Sequence, residues 1–320
     1  MRLGSILRHL LYLAVVVGIA ACPALAADLA FVTNQGSHTV SVINLDTRAV
    51  VADVDVGQQP AGVAACQSVE QVAISNPGDG TITLIAVPEL LSVGTHKAGE
   101  GPLAIVCGQD RLFVADWFTH SITSFSLATF EALATAQVGQ SPSGLALSAD
   151  GKRLYVTNRD SDSVFELDSQ SLQQLRSVDT GHRPFGVTLD SRNERMYIAN
   201  VQGNSVSVID VERFELVAEV AVGERPYAVA LAMEGTRALA TNQYDNTVSV
   251  IDTASLQIVT EIDVGEYPEG IFTDTDDRHV YVANWFDNTV SIIDMEQLTV
   301  VDEIDVQDGP RAYGIPIYGR

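Results

Sequence analysis

RLYVTN, at residues 153–158, is the clearest copy of a phrase that recurs throughout the 320-residue chain. The phrase closes on Asn or Asp, at Asn34, Asn76, Asp116, Asn158, Asn200, Asn242 and Asn284. These closing residues are spaced 42, 40, 42, 42, 42 and 42 residues apart. Strand-rich repeats of this length, separated by turns, are typical of the blades of a β-propeller.

A second marker keeps the same spacing, because a proline begins one strand of every repeat: Pro60, Pro102, Pro142, Pro184, Pro226, Pro268 and Pro310. Runs such as TVSVID (247–252) and IVTEIDV (258–264) alternate with a period of two, which predicts further strands. Each repeat therefore predicts four antiparallel strands. We place the proline strand innermost, since Gly or Ala recurs two residues after each proline, where backbones crowd near the axis.

The two ends of the repeat array predict how the ring closes. The first RLYVTN-like strand, at Leu29–Asn34, has no proline strand before it, and the last proline strand, residues 310–317, has no RLYVTN-like strand after it. Joining the two halves completes one blade and leaves no open edge there. The sequence thus predicts an all-β, seven-bladed propeller over residues 27–320, closed by residues 310–317 in the N-terminal blade.

Residues 1–26 are predicted to be a signal peptide rather than part of the fold. Two arginines precede an apolar stretch that is short for a membrane span, and Ala24-Leu25-Ala26 has the pattern of a cleavage site. Cleavage after Ala26 predicts a periplasmic or secreted protein without a transmembrane span in its mature chain. The alternative is a lipid anchor on Cys22, because Ile19–Cys22 resembles a bacterial lipobox.

The chain is strongly acidic, with 41 Asp and Glu against 18 Lys and Arg and a formal net charge of -23. Nucleic acid and anionic lipid both attract clustered basic residues, so this balance excludes them as general partners. A high net charge of one sign also keeps proteins soluble and apart. We therefore expect a monomer.

Two cysteines remain in the predicted mature chain, Cys66 and Cys107, and they occupy neighbouring repeats. Disulfides form in the compartments to which exported proteins go. Equivalent positions on adjacent blades can lie within the Cα separation that a disulfide needs. The sequence leaves a disulfide and a pair of free thiols open.

The recurring phrases resemble those of the YVTN family of β-propeller repeat proteins. The resemblance rests on Tyr155-Val156-Thr157-Asn158 and on NTVSVIDT at residues 246–253, and it covers essentially the whole predicted mature chain. It implies the propeller fold. It implies no single activity, because the family and its relatives include surface-layer proteins, accessory propellers of quinone-dependent oxidation and amine dehydrogenase subunits. Lactonase-like propellers are more distant, and no catalytic residue can be carried over.

One arc of the predicted mouth of the ring is basic and aromatic. The turns before and after Pro60, Pro102 and Pro142 carry small or neutral residues, whereas the remaining turns carry His182, Arg183, Phe185, Arg225, Tyr227, Tyr267 and Arg311. Arginine beside aromatic faces suits a carboxylate, a phosphate or a conjugated planar anion. Trp117 and Trp285 share one repeat position on the same face and add candidate contact residues. The alternatives are surface ion pairs for the arginines and rim packing for the tryptophans.

Three functions remain open. The first is a binding or accessory module that engages an anionic small molecule or a periplasmic protein at this mouth. The second is a lactonase- or lyase-like enzyme, for which Glu269 and His182 are the candidate acid or base. The third is a propeller subunit of a quinone-dependent dehydrogenase system.

No cofactor and no metal site are predicted. The chain lacks Cys-x-x-Cys-His, which excludes covalently attached haem. The acidic turns at Asp160–Asp162 and Asp274–Asp277 lack the glycine and terminal glutamate of a dedicated calcium loop. His38, His120 and His182 fall on one face but in separate blades, so we do not expect them to converge.

Overall fold

The computed structural model describes residues 28–192 and 194–319. Within these residues the chain forms seven sheets of short strands arranged as a ring. The described ranges contain no helix long and apolar enough to cross a membrane. The predicted signal peptide, residues 1–26, and the alternative anchor at Cys22 lie outside them.

The strands are short and follow one another at nearly constant intervals. In chain order they are β1 (Leu29–Asn34), β2 (Thr39–Asn44), β3 (Ala49–Asp55), β4 (Gly62–Cys66), β5 (Gln71–Asn76), β6 (Thr81–Ala86), β7 (Leu91–Lys97), β8 (Pro102–Cys107), β9 (Arg111–Asp116), β10 (Ser121–Ser126), β11 (Ala132–Gln137), β12 (Pro142–Leu147), β13 (Arg153–Asn158), β14 (Ser163–Asp168), β15 (Gln174–Asp179), β16 (Pro184–Leu189), β17 (Arg195–Asn200), β18 (Ser205–Asp210), β19 (Glu215–Ala221), β20 (Pro226–Ala232), β21 (Arg237–Asn242), β22 (Thr247–Asp252), β23 (Gln257–Asp263), β24 (Pro268–Thr273), β25 (His279–Asn284), β26 (Thr289–Asp294), β27 (Thr299–Asp305), β28 (Tyr313–Ile315) and β29 (Ile317–Tyr318). Two 3₁₀ helices, Gln67–Val69 and Arg159–Ser161, follow β4 and β13.

The predicted fold is confirmed: the protein is a seven-bladed β-propeller whose blades have four antiparallel strands. Blades three to seven are the consecutive groups β8–β11, β12–β15, β16–β19, β20–β23 and β24–β27. Blade two contains β4–β7, and blade one contains β1–β3. In blades three to seven the proline strand is innermost, whereas in blade two the short strand β28 lies inside β4. The last strand of each blade is the outer edge, with alternate residues exposed, as in β23.

The two sequence markers keep one register because they touch in space. A Cβ added to Gly57, which precedes Pro60, would lie 2.6 Å from the Asn76 amide carbon. No side chain fits there, which explains why a glycine recurs three residues before the proline. The amide group of Asn76 in turn donates to the hydroxyls of Thr81 and Thr83, at 3.0 Å each, and so joins β5 to β6.

Hydroxyl groups in the RLYVTN-like strands join neighbouring blades near the axis. Thr157 Oγ1 donates to the backbone oxygen of Phe185 in the next blade at 2.7 Å. Thr241 Oγ1 makes the equivalent bond to Glu269 at 2.9 Å. The backbone of the residue after each of these prolines is therefore fixed by the preceding blade.

The ring closes where the sequence predicts, but residues 310–317 do not form one strand. Pro310 bridges Asn34, β29 pairs with β1 through Ile317 and Ala30, and β28 between them runs parallel to β4 of blade two. Two residues explain the break. Gly314 has a φ of 123°, which turns the chain away, and Pro316 has no N–H for a ladder. The C-terminal segment therefore contacts both blade one and blade two.

A disulfide joins Cys66 at the end of β4 to Cys107 at the end of β8. The two Cα atoms are 5.3 Å apart. Of the two states that the sequence left open, the structure contains the bridged one. It links blades two and three, beside the point where the C-terminal segment joins the ring.

Candidate functional site

A cavity of about 350 Å³ opens at the mouth of the ring, on the face of the turns that precede the prolines. Its charged and polar lining residues are Arg159, Arg225, Gln243, Glu269 and Arg311. Its aromatic lining residues are Trp117, Phe118, Phe185, Tyr227 and Tyr267. The cavity therefore contains residues of the basic arc together with Gly101 and Leu103, which flank Pro102 on the neutral side.

Two repeat positions supply most of this lining. The residue directly after each proline lies near the axis. These residues are Phe185 in blade five, Tyr227 in blade six, Glu269 in blade seven and Arg311 in the closing segment. The residue directly after the closing Asn or Asp of the second strand faces the same cavity, as Trp117, Arg159 and Gln243 do. The architecture is therefore regular, and only the side chains differ between blades.

The residue before the proline adopts a left-handed backbone in most turns, whatever its side chain. The φ angles are 54° at Gln59, 54° at Ser141, 55° at Arg183, 55° at Arg225 and 58° at Tyr267. A side chain placed 21 residues earlier holds each turn by accepting from its N–H, for example Asn204 Oδ1 for Arg225 at 3.0 Å. His38 and His120 do the same for Gln59 and Ser141, at 3.1 and 3.0 Å. These two histidines therefore cap turns and do not converge with His182.

An ion pair between Glu269 and Arg311 forms the floor of the cavity. Arg311 Nε lies 2.8 Å from Glu269 Oε2, and Gln243 Nε2 donates to Glu269 Oε1 at 2.9 Å. Arg311 Nη2 donates to Glu269 Oε1 at 3.3 Å, whereas Nε and Oε2 attract each other electrostatically without a directed hydrogen bond. Burial raises the pKa of Glu269, although Arg311 opposes the shift. Burial alone would lower the pKa of Arg311, but the charge of Glu269, its hydrogen bond and the nearby Tyr227 and Tyr267 together outweigh burial and raise that pKa.

Arg159 lines the cavity beside Trp117, and the sequence analysis missed it. Its guanidinium lies 5.3 Å from the centre of the Trp117 ring and 3.1 Å from Asp160. Burial, followed by the charge of Arg183, lowers the pKa of Arg159. A signal was present in the sequence, because Arg159 follows Asn158 directly and so shares the repeat position of Trp117 and Trp285. The same signal identifies Gln243.

Arg225 is the cavity arginine with the least neutralised charge. Its guanidinium lies 4.5 Å from the centre of the Tyr244 ring. No carboxylate within residues 28–192 and 194–319 comes within ion-pair distance of it, whereas Arg159 and Arg311 both have one. With three arginines and one glutamate in its wall, the cavity is positively charged inside an acidic protein.

Three residues proposed from the sequence lie outside this cavity. Arg183 turns toward Asp160, at 3.6 Å, and His182 is 77% exposed and pairs with Asp162 at 3.0 Å. Trp285 lines an adjacent groove of about 540 Å³, together with Tyr244, Tyr267 and Phe286. Arg225, Arg311, Phe185, Tyr227, Tyr267 and Trp117 are all in the cavity wall.

Asp274, Asp276 and His279 form a group with ligand atoms within 4.8 Å of one another, near the opposite face of the ring. Both ring nitrogens of His279 already have partners. Nδ1 lies 2.6 Å from Asp276 Oδ2, and Nε2 lies 3.0 Å from Arg48 Nη2. The arrangement is that of a hydrogen-bonded turn, and the expectation of no metal site stays a prediction.

Comparison with known proteins places the chain among β-propeller families. The family model described as YNCE-like beta-propeller matches residues 188–276, and the one described as lactonase, 7-bladed beta-propeller, matches residues 118–215. Each match covers less than half of the chain. In a comparison with curated protein sequences, none matches this chain.

Solved structures with the same fold are distant in sequence. Hydrazine synthase of Kuenenia stuttgartiensis has a TM-score of 0.75 and 17% identity, over 82% of this chain and 91% of that chain. A functionally unknown protein of Desulfotomaculum acetoxidans has a TM-score of 0.75 and 15% identity, over 90% and 99%. A Lactobacillus plantarum protein has a TM-score of 0.77 and 14% identity, over 91% and 99%. At these identities the similarity shows the fold alone.

Proposed function

We propose that this chain is an exported propeller of the YVTN type that works as a binding module for a small planar anion. The single observation that carries the proposal is the pairing of Arg225, whose charge has no carboxylate partner in the described chain, with an aromatic-walled cavity. A guanidinium beside aromatic faces binds a planar carboxylate, sulfonate or phosphate ester through charge-assisted hydrogen bonds and stacking.

The shape and charge of the cavity support this ligand class. Trp117 and Tyr267 supply aromatic surface for a planar group, and the ring centres of Phe185 and Tyr227 in the same wall are 4.2 Å apart. A volume of about 350 Å³ suits a small molecule rather than a folded partner. The overall charge of -23 repels anions from the rest of the surface, which favours specific binding at this one basic cavity.

The proposal can be tested with three naphthalene probes that differ in charge. Naphthalene-2-sulfonate is an anion, 2-naphthol is neutral, and 2-naphthylmethylamine is a cation near neutral pH. We expect the sulfonate to quench Trp117 fluorescence and to bind at least tenfold more tightly than the other two, as measured by titration calorimetry. Equal affinity for all three probes, or none for the sulfonate, would contradict the proposal. A Trp285→Phe variant isolates the Trp117 signal, since the chain has 2 tryptophans.

A second candidate function is acid–base catalysis in the same cavity. The observation that favours it is Glu269, a buried carboxyl in the cavity floor with a raised pKa. A carboxyl with that property is a common general acid or base. Turnover of simple lactones that is lost in the Glu269→Gln variant but kept in the His182→Ala variant would support an enzyme. If the unaltered protein turns over no member of a lactone panel, this second function is contradicted.

A further inference from the structure

The opposite end of the central channel holds a second cavity, larger than the mouth cavity, of about 590 Å³. Its walls are the innermost strands of blades three to seven together with the C-terminal segment near Ile317. Three packed rings lie between the two cavities. Tyr313 lines the second cavity, and its ring lies 5.2 Å from Phe185 and 5.9 Å from Tyr227, which line the first. The two cavities therefore open on opposite faces of the ring.

The walls of this second cavity are apolar in effect, even where they carry hydroxyl groups. Thr188 Oγ1 donates to the backbone oxygen of Val229 at 2.6 Å, and Thr273 Oγ1 donates to that of Leu231 at 2.7 Å. The Tyr313 hydroxyl donates to the Ser143 backbone oxygen at 2.9 Å, so its ring rather than its oxygen faces the cavity. With these donors committed, the remaining lining consists largely of Ala, Val, Leu and Ile side chains. Such a surface gains free energy by burying an apolar group.

The rim of the same cavity is anionic. Glu234 and Asp277 lie at its edge, on the turns that follow β20 and β24. The Asp277 carboxylate accepts from the Glu234 backbone N–H. Across the described parts of the chain, no Lys, Arg or His side chain lies within ion-pair distance of either carboxylate. Both charges are thus available to a ligand.

We propose that this cavity is a second binding site, for an amphiphile with an apolar chain and a cationic head. The apolar part enters between the innermost strands, and an ammonium group stays at the rim beside Glu234 and Asp277. An anionic head would meet like charges there, and the hydroxyls of Thr188, Thr273 and Tyr313 are already bonded to backbone oxygens. This site is independent of the mouth cavity, because the packed rings of Phe185, Tyr227 and Tyr313 lie between the two.

The test uses decyltrimethylammonium, decyl sulfate and 1-decanol, each below its aggregation or solubility limit, titrated into the full chain by calorimetry. We expect decyltrimethylammonium to bind with one molecule per chain and at least fivefold more tightly than decyl sulfate. Preference for the sulfate, equal binding of both, or no binding of decyltrimethylammonium would overturn the proposal.

Two variants separate the apolar wall from the charged rim. Leu231→Trp fills the cavity and should abolish binding, provided that its thermal unfolding stays cooperative. Glu234→Lys changes an exposed rim residue and should weaken decyltrimethylammonium about fivefold while strengthening decyl sulfate. Glu215→Lys makes the same charge change on an outer strand and is the matched control. Equal effects of the two lysine variants would overturn the assignment of the rim. Arg225→Ala, in the mouth cavity, should leave the binding of decyltrimethylammonium unchanged.

Discussion

The two arcs of the mouth share one backbone and differ almost only in side chains. Gln59 and Ser141 on the neutral arc have the same left-handed turn as Arg183, Arg225 and Tyr267 on the basic arc, with φ between 54° and 58°. The repeat therefore determines where a side chain is presented, and the individual blade determines what is presented. Binding chemistry can change in one blade without a change in the ring.

The largest expected effect comes from removing the segment that contacts both blades one and two. Deletion of the chain from Gly309 onward removes the strand beside Ala30, the parallel partner of β4 and the partner of Glu269. We expect aggregation, or a Tm lowered by at least roughly 10 °C, because an inner edge becomes exposed. Thermal unfolding followed by circular dichroism measures this.

The control for the truncation removes only the residues that follow Tyr318. That shorter deletion should unfold within a few degrees of the full chain. If the protein that lacks the chain from Gly309 onward also unfolds within a few degrees of the full chain, closure of the ring by the C-terminal segment is contradicted. Both arcs would then have to be stable without that segment.

The next effect concerns the buried ion pair of the basic arc. At the position after the proline, the neutral arc has Ala61, and the basic arc has Glu269 beside Arg311. Arg311→Met leaves the buried Glu269 carboxylate without its cationic partner and should destabilise the fold by about 3–5 kcal/mol at neutral pH. Adding Glu269→Gln should restore much of this loss, because the unpaired charge is gone. Denaturant unfolding of both variants measures the difference.

The same pair gives the stability of the fold a pH dependence. Burial raises the folded pKa of Glu269 above its ordinary value of 4.5, so the folded chain holds this proton more tightly than the unfolded chain. The contribution to stability is therefore complete below about pH 4.5 and declines as the pH rises through the raised value. The variant that carries both Glu269→Gln and Arg311→Met should lack this decline. An unchanged pH profile in that variant would contradict the assignment.

A smaller effect is expected on ligand binding. Replacing both Arg159 and Arg225 with Ala should weaken the binding of naphthalene-2-sulfonate by about 1.5–3 kcal/mol for each arginine that is removed, with little change in stability. The matched pair on the neutral arc is Gln59→Ala with Ser141→Ala, and it should leave affinity unchanged. Arg183→Ala should also have little effect, because Arg183 is turned toward Asp160. Equal losses of affinity from the two pairs would show that the arcs do not differ in function.

The smallest effect is on the turn itself. A non-glycine residue with positive φ costs about 1–2 kcal/mol relative to its preferred backbone, and part of that is regained when glycine replaces it. Gln59→Gly and Arg225→Gly should therefore each stabilise the fold by up to about 1 kcal/mol. Only Arg225→Gly should also reduce sulfonate binding. A stability gain at one turn and a loss at the other would mean that the two turns are not equivalent.

The fold was predictable in detail because two independent markers, the closing Asn and the proline, repeat seven times and contact each other. The cavity was predictable only in part. Arg225, Arg311 and Tyr227 follow from their turn positions, but Arg183 has the same position as Arg225 and turns away toward Asp160. That choice depends on which carboxylate lies nearby in the folded ring. Arg159 was missed because it lies in the other loop, where only the tryptophans were conspicuous.

The division of the C-terminal segment could not be predicted from repeats, because it belongs to one blade only. Gly314 and Pro316 were visible in the sequence, yet the repeat pattern predicts a continuous strand across them. Their effect depends on the presence of blade two alongside, which gives β28 a parallel partner in β4. Local signals therefore become informative only once the neighbouring blade is known.

The pairing of Ala30 with Ile317 also determines the order in which the blades can form. Blades three to seven are built from strands that follow one another directly in the chain, so each can assemble as soon as its own residues are available. Blade one is different, because its inner strand lies almost three hundred residues away from the strand that it covers. Closing such a long loop is slow and entropically costly compared with forming a hairpin. Strand β1 therefore belongs to the last blade to be completed.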